Sequence, residues 1–331
     1  MYSVEPIVLN EEAFTDAFIP TKLLNRENQI REIRKRLRPA LKNRFIENIF
    51  LVGSSGTGKT VVVKWILENY FKEISVYVDC WKHCTTHGVL VEILRNLQKP
   101  VHGREPTCEL VRKLERLVKS KKIIVCLDEV EKLKNFDLLY ILARANCGLI
   151  LISTFYHVLS NLASRIRNSL ALTEIEFPTY SEDELYAIIR DRIQFAFQPG
   201  TPKTELIRIA SAAAKGDAKV GLEIIRKAGK KAEVRGSNEI SMNELKETIS
   251  EANGLQTLCP IDRLNAHQKL IYEIIKKNRK MLSSSLYREY RALAGNPVAD
   301  RTYRNYTIKM VNLRLMKSEG KGRWRRYEHV G

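Results

Sequence analysis

The sequence lacks any apolar run approaching the roughly 18 residues that a membrane-spanning helix needs, so no membrane is expected among its partners. Its opening, Met1-Tyr2-Ser3-Val4-Glu5-Pro6, lacks a charged segment followed by an apolar one, and no secretory signal is expected there. Cysteine is scarce, with six in 331 residues. That points to a reducing compartment rather than a disulfide framework. Cys80, His83, Cys84 and His87 do not follow a standard zinc spacing, so ordinary loop or buried thiols are expected there. There is no internal repeat and no low-complexity tract. Acidic residues are also short, 38 against 56 Lys and Arg, for a net charge of +18. The shortage is concentrated: from Pro260 to Gly331, 17 Lys and Arg face 6 Asp and Glu, a balance of +11. Such a local excess suits a polyanion, nucleic acid first and an anionic membrane second.

What is present begins with Gly53-Ser54-Ser55-Gly56-Thr57-Gly58-Lys59-Thr60. It follows the apolar run Ile49–Val52 and precedes a helical pattern over Val61–Phe71. Strand, glycine-rich loop and helix together form a P-loop, whose backbone N–H groups and helix dipole hold phosphates. Lys59 is expected to reach the β- and γ-phosphates, and the Thr60 hydroxyl to ligate Mg²⁺.

Further strands are expected at Ile74–Asp79, Ile123–Glu129, Gly148–Thr154 and Glu174–Phe177, alternating with helices. Residues 1–24 read as extended and loose, and Asn25–Leu41 as one helix with Ile30, Ile33, Leu37 and Leu41 on its inner face. That pattern predicts an α/β sandwich on a parallel sheet. Asp128-Glu129 ends a buried strand and reads as a Walker B pair, with Asp128 on Mg²⁺ and Glu129 orienting or deprotonating the attacking water.

After Pro178 the strands stop. Capping boxes at Ser181–Glu184 and Ser241–Glu244 open helices of an all-helical unit. A linker is expected from Asn253 to Pro260, then three helices and a β-hairpin, the order of a winged helix-turn-helix. Asp300 reads as an N-cap, with Arg301, Arg304 and Asn305 at the reading end of a recognition helix, Ile308, Val311 and Leu315 facing inward, and Tyr303 and Tyr306 open between core and contact. Lys321, Arg323, Arg325 and Arg326 form the wing, suited to phosphates or the minor groove, and Trp324 is expected to pack.

Taken together, these motifs resemble the archaeal replication initiators, AAA+ proteins of the origin-recognition and cell-division-control family. The likeness covers nearly the whole chain and divides it into an AAA+ base (1–178), a helical lid (179–254) and a winged-helix domain (255–331). Asn25–Ile30 is similar to the opening motif that lies against adenine, which implies that Arg26 and Glu27 bind the nucleotide. Phe177–Leu185 resembles the segment leading into the lid and adds Tyr180. Gly216–Leu222 resembles sensor 2, placing Lys219 where the family usually has Arg. Ser153-Thr154 stands where sensor 1 usually reads Ser-Asn, and Arg165 matches an arginine finger aimed at a neighbouring subunit. Thr154 lacks an amide's second donor, and Lys219 lacks a planar fork. The family's DNA-touching insertion would fall within Thr85–Arg104.

The P-loop and Walker B pair imply ATP/ADP and Mg²⁺ as cofactors, and the departures at Thr154 and Lys219 imply slow hydrolysis that serves as a nucleotide switch. As partners the resemblance implies duplex origin DNA, other initiator paralogues and the replicative minichromosome maintenance helicase, in a cytoplasmic, nucleoid-associated setting. Three other readings remain open: an ATP-gated winged-helix regulator, an accessory initiator paralogue with weak hydrolysis, and a transposition-helper ATPase.

Overall fold

The computed structural model describes residues 6–15, 18–102, 105–155, 158–159, 162–256, 264–312, 315–320 and 324–329. The chain divides into two compact units, Met1–Ile249 and Ser250–Gly331.

The first unit opens with α1 (Glu27–Leu37), β1 (Ile49–Val52), α2 (Lys59–Tyr70), β2 (Ser75–Asp79), α3 (Thr86–Asn96) and α4 (Thr107–Ser120). It continues with β3 (Ile124–Asp128), α5 (Asp137–Arg144), β4 (Gly148–Ser153), α6 (Ser164–Leu170) and β5 (Thr173–Glu176). The five strands pair in parallel in the order β2-β3-β4-β1-β5. Every residue of β1, β3 and β4 is buried, as continuous apolar runs require when helices cover both faces of a sheet. Alternate side chains feed two cores. Phe50, Val125, Leu127 and Leu151 join α3, α4 and α5, whereas Ile49, Leu51, Cys126 and Ile150 join α1 and α2.

The sequence reading of α1 fails at its C-terminal end. The α-helix stops at Leu37, and Arg38–Lys42 continues as a 3-10 turn, because Pro39 cannot donate to the α-helical ladder. Ile33 and Leu37 are fully buried and Ile30 partly so, but Leu41 is rotated out and 59% exposed. Residues 6–15, expected to be loose, are not. Ile7, Val8 and Ala13 are buried, and Glu11–Phe14 forms a 3-10 turn. The backbone of this segment is bonded to the end of α7 (Glu182–Ala196): Leu9 N–H donates to Ala196 O at 2.8 Å, and Gln198 N–H donates to Ile7 O at 3.1 Å.

The helices after Pro178 are α7, α8 (Thr204–Ala213), α9 (Ala218–Val234) and α10 (Met242–Gln256). The Ser181 box is complete: Glu184 N–H donates to Ser181 Oγ at 3.2 Å, and Ser181 N–H donates to Glu184 Oε2 at 2.8 Å. At Ser241 the N–H donates to Glu244 Oε2 at 2.7 Å. The expected linker at 253–256 is helical instead, since one internal glycine, Gly254, costs a helix only about 1 kcal/mol. The rest of that expected linker lies outside the described residues.

The second unit contains α11 (Ala266–Asn278), β6 (Lys280–Leu282), α12 (Ser283–Leu293), α13 (Asp300–Asn312), β7 (Met316–Glu319) and β8 (Arg326–His329). The expected hairpin β7–β8 is joined by β6 in an antiparallel sheet of order β6-β8-β7. Three residues between two helices are too few to show strand alternation. An aromatic cluster fills the core, with the Tyr303 ring 4.6 Å from Tyr287 and 5.2 Å from Tyr290. That cluster sets the phase of α13. Tyr303, Thr307 and Met310 are buried, with Val311 partly so, while Ile308 is 45% exposed, contrary to the inward position expected for it. Leu315 is buried, beyond the end of the helix.

The break at Pro39 makes a testable contrast. Leu37→Ala should destabilise the protein by about 2–5 kcal/mol in urea unfolding. Leu41→Ser should stay within about 0.5 kcal/mol of wild type. Equal losses would mean that Leu41 is packed.

Candidate nucleotide site and nucleic-acid interface

The P-loop spans the gap from β1 to α2, and two of its glycines are required by close approach. Gly56 has φ +69°, and a Cβ there would sit 1.8 Å from Asp217 Oδ1. Gly58 has φ +88°, and a Cβ would sit 2.5 Å from the Tyr180 hydroxyl. The neighbour at Gly56 belongs to the cap of α9: Asp217 Oδ1 accepts from Val220 N–H at 3.1 Å. Ala218 N–H then donates to Gly56 O at 3.1 Å, so the first turn of α9 is bonded directly to the phosphate loop.

Lys59 is buried at the start of α2. Its ammonium donates to Gly53 O at 2.7 Å and to Ser54 O at 2.8 Å, with Thr57 Oγ1 at 3.4 Å. Beside it, Thr60 Oγ1 donates to Asp128 Oδ2 at 2.7 Å. Tyr77 donates to the same oxygen at 2.8 Å, and Asp128 Oδ1 accepts Glu129 N–H at 2.9 Å. Glu129 sits in the left-handed region at φ +51°, which turns its exposed carboxylate off the end of β3. Its pKa is raised, first by desolvation and then by Asp128 and Glu131.

These groups line a cavity of about 500 Å³. Its wall includes Ser55–Thr60, Asp128, Glu129, Thr154, Tyr180 and Lys219. Thr154 Oγ1 donates to Glu131 Oε1 at 3.1 Å. Gly53 and Ser54 lie behind the wall, with their carbonyls turned to Lys59. Arg26 and Glu27 are not in the wall either. Arg26 is buried as a brace: Nε donates to Thr57 O at 3.0 Å, Nη2 to Pro178 O at 2.6 Å, and the guanidinium stacks 3.8 Å from the Tyr180 ring centre. Arg165 also lies outside the cavity, exposed on α6, with its guanidinium 4.5 Å from the Tyr140 ring centre.

The sequence reading missed several members. Phe14, Phe18 and Pro20 of the N-terminal segment line the cavity, as does the buried Arg192 of α7. Arg192 Nη1 donates to Ala13 O at 2.6 Å, and its guanidinium lies 4.5 Å from the Phe18 ring centre. Tyr77 and Asp217 are likewise additions. Only Asp217 had a signal, as the capping residue in Gly216-Asp217 before a helical run. In the cysteine region, Cys80 is buried and His87 Nε2 is 3.0 Å from Glu105 O.

In the second unit, Arg301, Arg304 and Asn305 all stand on the exposed face of α13. Asp300 is the first helical residue rather than a cap, and its Oδ2 pairs with Arg304 Nη2 at 2.6 Å. Arg326 is exposed on β8, whereas Arg325 is only half-exposed. Trp324 is 67% exposed, not packed as expected. Gly320 makes the turn after β7 at φ +79°, where a Cβ would meet Trp324 O at 2.8 Å. Lys321 and Arg323 lie outside the described residues.

Comparison with known proteins bears on both units. Residues 47–166 match the AAA domain model, and residues 186–250 match the Cdc6 AAA+ ATPase-type lid domain model. The chain carries an AAA domain followed by a Cdc6-type AAA+ lid. It is similar to the ORC1-type DNA replication protein 9 of Halobacterium salinarum, at 27% identity over 327 residues, 95% of this chain and 91% of that protein. Among solved structures, it resembles the Aeropyrum pernix ORC1 protein in complex with DNA, with a TM-score of 0.68, 24% identity, and coverage of 97% of this chain and 93% of that one. It also resembles the Aeropyrum pernix ORC2 protein in ADPNP-ADP complexes, with a TM-score of 0.69, 17% identity, and coverage of 98% and 95%. The parallel sheet, the helical lid and, in its own unit, the winged helix follow that fold, and the P-loop cavity is a nucleotide site.

The buried amine of this site gives nucleotide binding a pH signature. Desolvation lowers the Lys59 pKa to about 8, against opposing attraction from Asp128 and Glu131. Phosphate binding needs the ammonium. Below pH 8 the ammonium is in place, and affinity for a fluorescent adenine nucleotide should be flat. Above it binding must take up a proton, and affinity should fall by up to about tenfold per pH unit. Lys59→Arg, which stays charged, should bind without that fall. A wild-type profile that is flat from pH 7 to roughly 9.5 would show that burial does not depress this amine.

Proposed function

We propose that this chain is an ATP-dependent, DNA-binding replication initiator that recognises replication origins and helps load the replicative helicase. The observation that carries this reading is the pairing, in one chain, of a P-loop bonded to its lid helix with a winged-helix unit whose α13 presents Arg301, Arg304 and Asn305. Relatives of the ORC1 type replicate DNA by name, and one related fold was solved on DNA. The base, lid and winged helix are assigned to 1–178, 179–254 and 255–331.

ATP is the nucleotide assigned to the cavity. The loop 53–58 and Lys59 would hold its phosphates, and Phe14, Phe18 and Tyr180 offer aromatic surface within reach. Mg²⁺ fits the donors present: the Thr60 hydroxyl and the Asp128 carboxylate, hard oxygen ligands, already converge at 2.7 Å. The metal would supply charge neutralisation at the phosphates. Glu129 takes the proton of the attacking water. Its raised pKa means that its carboxylate is lost at a higher pH than an ordinary glutamate's as acidity increases. Lys219 lines the cavity and provides charge without a fork. Arg165 would act on a neighbouring subunit's nucleotide.

One observation favours a variant of this reading. The Thr154 hydroxyl, at the sensor 1 position, is donated to Glu131. Slow hydrolysis follows, and with it a protein that works as a switch, as an initiator or an accessory initiator.

Two experiments test these assignments. Glu129→Gln should lower single-turnover ATP hydrolysis by about 100-fold or more while ATP binding persists. Undiminished hydrolysis would remove Glu129 from the base role. DNase footprinting at fixed salt should give discrete protection at a replication origin, lost in Arg301→Ala/Arg304→Ala. Protection confined to promoters would instead assign a regulator.

A further inference from the structure

Helix α1 carries a charge load that the nucleotide site does not use. Arg36 turns back to Glu32 and Glu47. Lys22, Arg31, Arg34, Lys35 and Arg38 instead line a groove of about 740 Å³ formed by α1, the 3-10 turn after it and the end of α2. The one carboxylate in that lining, Glu27, accepts Asn25 N–H at 3.3 Å. Among the described residues, Lys22, Arg31, Lys35 and Arg38 form no ion pair. Arg34 lies flat on Tyr70, 3.7 Å from the ring centre, and holds its guanidinium at the rim.

The floor of the groove is apolar. Leu23, Ile30, Trp65 and Phe71 form it, continuous with the core beneath the sheet. Trp65 Nε1 donates to Thr21 O at 3.2 Å, so the only polar atom of that side chain is satisfied and its ring is left for apolar contact. Leu41, swung outward after Pro39, adds an exposed apolar side chain to the same lining.

An apolar floor ringed by uncompensated cations matches one kind of occupant. A nucleic-acid backbone would satisfy the cations, but it brings no side chain to fill the floor. A free anion would leave the floor empty. An acidic amphipathic segment supplies both parts, with apolar anchors spaced i, i+3, i+4 and i+7 on one face and carboxylates beside them. We propose that this groove docks an acidic amphipathic segment of a partner protein, with its apolar anchors on Ile30, Trp65 and Phe71 and its carboxylates on Arg31, Lys35 and Arg38. The groove shares Lys22 and Leu23 with the nucleotide cavity but none of the phosphate loop, and the inference stands whether or not the chain is an initiator.

The test uses the full chain and a fluorescein-labelled peptide of roughly 18 residues, composed of Glu, Asp, Leu and Phe with anchors at that spacing. Anisotropy should report saturable binding. Arg31→Glu/Lys35→Glu/Arg38→Glu should weaken it by about tenfold or more, and the triple Gln variant by less. A duplex of about 20 base pairs should bind both variants as well as wild type, and their unchanged affinity for a fluorescent adenine nucleotide shows that the first unit folds. In a Trp81→Phe/Trp324→Phe background, Trp65 emission should shift when the peptide binds. Three results would overturn the proposal: no saturable peptide binding, parallel loss of peptide and duplex in the charge variants, or equal binding of an all-acidic peptide without anchors. The second would make the groove a phosphate contact, and the third a purely electrostatic surface.

Discussion

The first unit is arranged around a buried ammonium whose hydrogen bonds go to two carbonyls and a hydroxyl. Burying a cation costs several kcal/mol unless something compensates. Here neutral dipoles hold Lys59, and the Asp128 carboxylate it feels is already shared by Thr60 and Tyr77. The positive charge is therefore only partly compensated by the protein. An anion brought to the P-loop completes it, and the loop N–H groups and the dipole of α2 act in the same direction. The glycines, the brace at Arg26 and the packing of Tyr180 all serve to hold this geometry.

The lid is tied to the same loop. Ala218 bonds Gly56, and Asp217 fills the space that only a glycine leaves there. A change at the phosphates can bias the lid only through contacts that differ between its positions. The backbone bond from α9 to the P-loop is such a contact. A second tie runs from α7, where Arg192 holds the N-terminal segment through Ala13 and Phe18. The cavity wall thus contains base, lid and N-terminal residues, and shifting one lid helix disturbs all three.

Much of this was legible in the sequence, for physical reasons. Uninterrupted apolar runs ending at Val52, Asp128 and Ser153 can only be strands buried on both faces, and their ends bring together the loop, the acidic pair and Thr154. What was not legible depends on distance in space. Arg26 reads as a nucleotide contact because it sits in the right motif, but two of its backbone acceptors, Thr57 O and Pro178 O, come from segments far along the chain, and they turn it inward. Leu41 and Ile308 were misplaced by extending a helical period, past a proline in the first case and from the wrong phase in the second. Tyr303 set that phase through contacts with Tyr287 and Tyr290 that no local pattern reveals. The N-terminal segment has no periodicity at all, yet Ile7, Val8 and Ala13 are buried where its backbone groups find partners at the end of α7.

The departures at the proposed sensor positions, Thr154 and Lys219, fit the same electrostatics. An asparagine at position 154 could accept from one neighbour and still donate to a phosphate, whereas threonine has a single proton to give and gives it to Glu131. Glu131 also helps raise the Glu129 pKa, so the proposed base stands among three carboxylates, Asp128, Glu131 and Asp79. Such crowding makes Glu129 a better base when it is ionised, but it leaves less assistance for charge developing on the phosphate. Lys219 adds a point charge where two directed hydrogen bonds would serve better. Binding needs mainly the loop and Lys59, and these are complete. On the proposed roles, hydrolysis would need the sensors, and these would be weakened. A site with that imbalance would hold its nucleotide longer than it turns it over, which is the condition for the bound state, rather than the chemical step, to do the work.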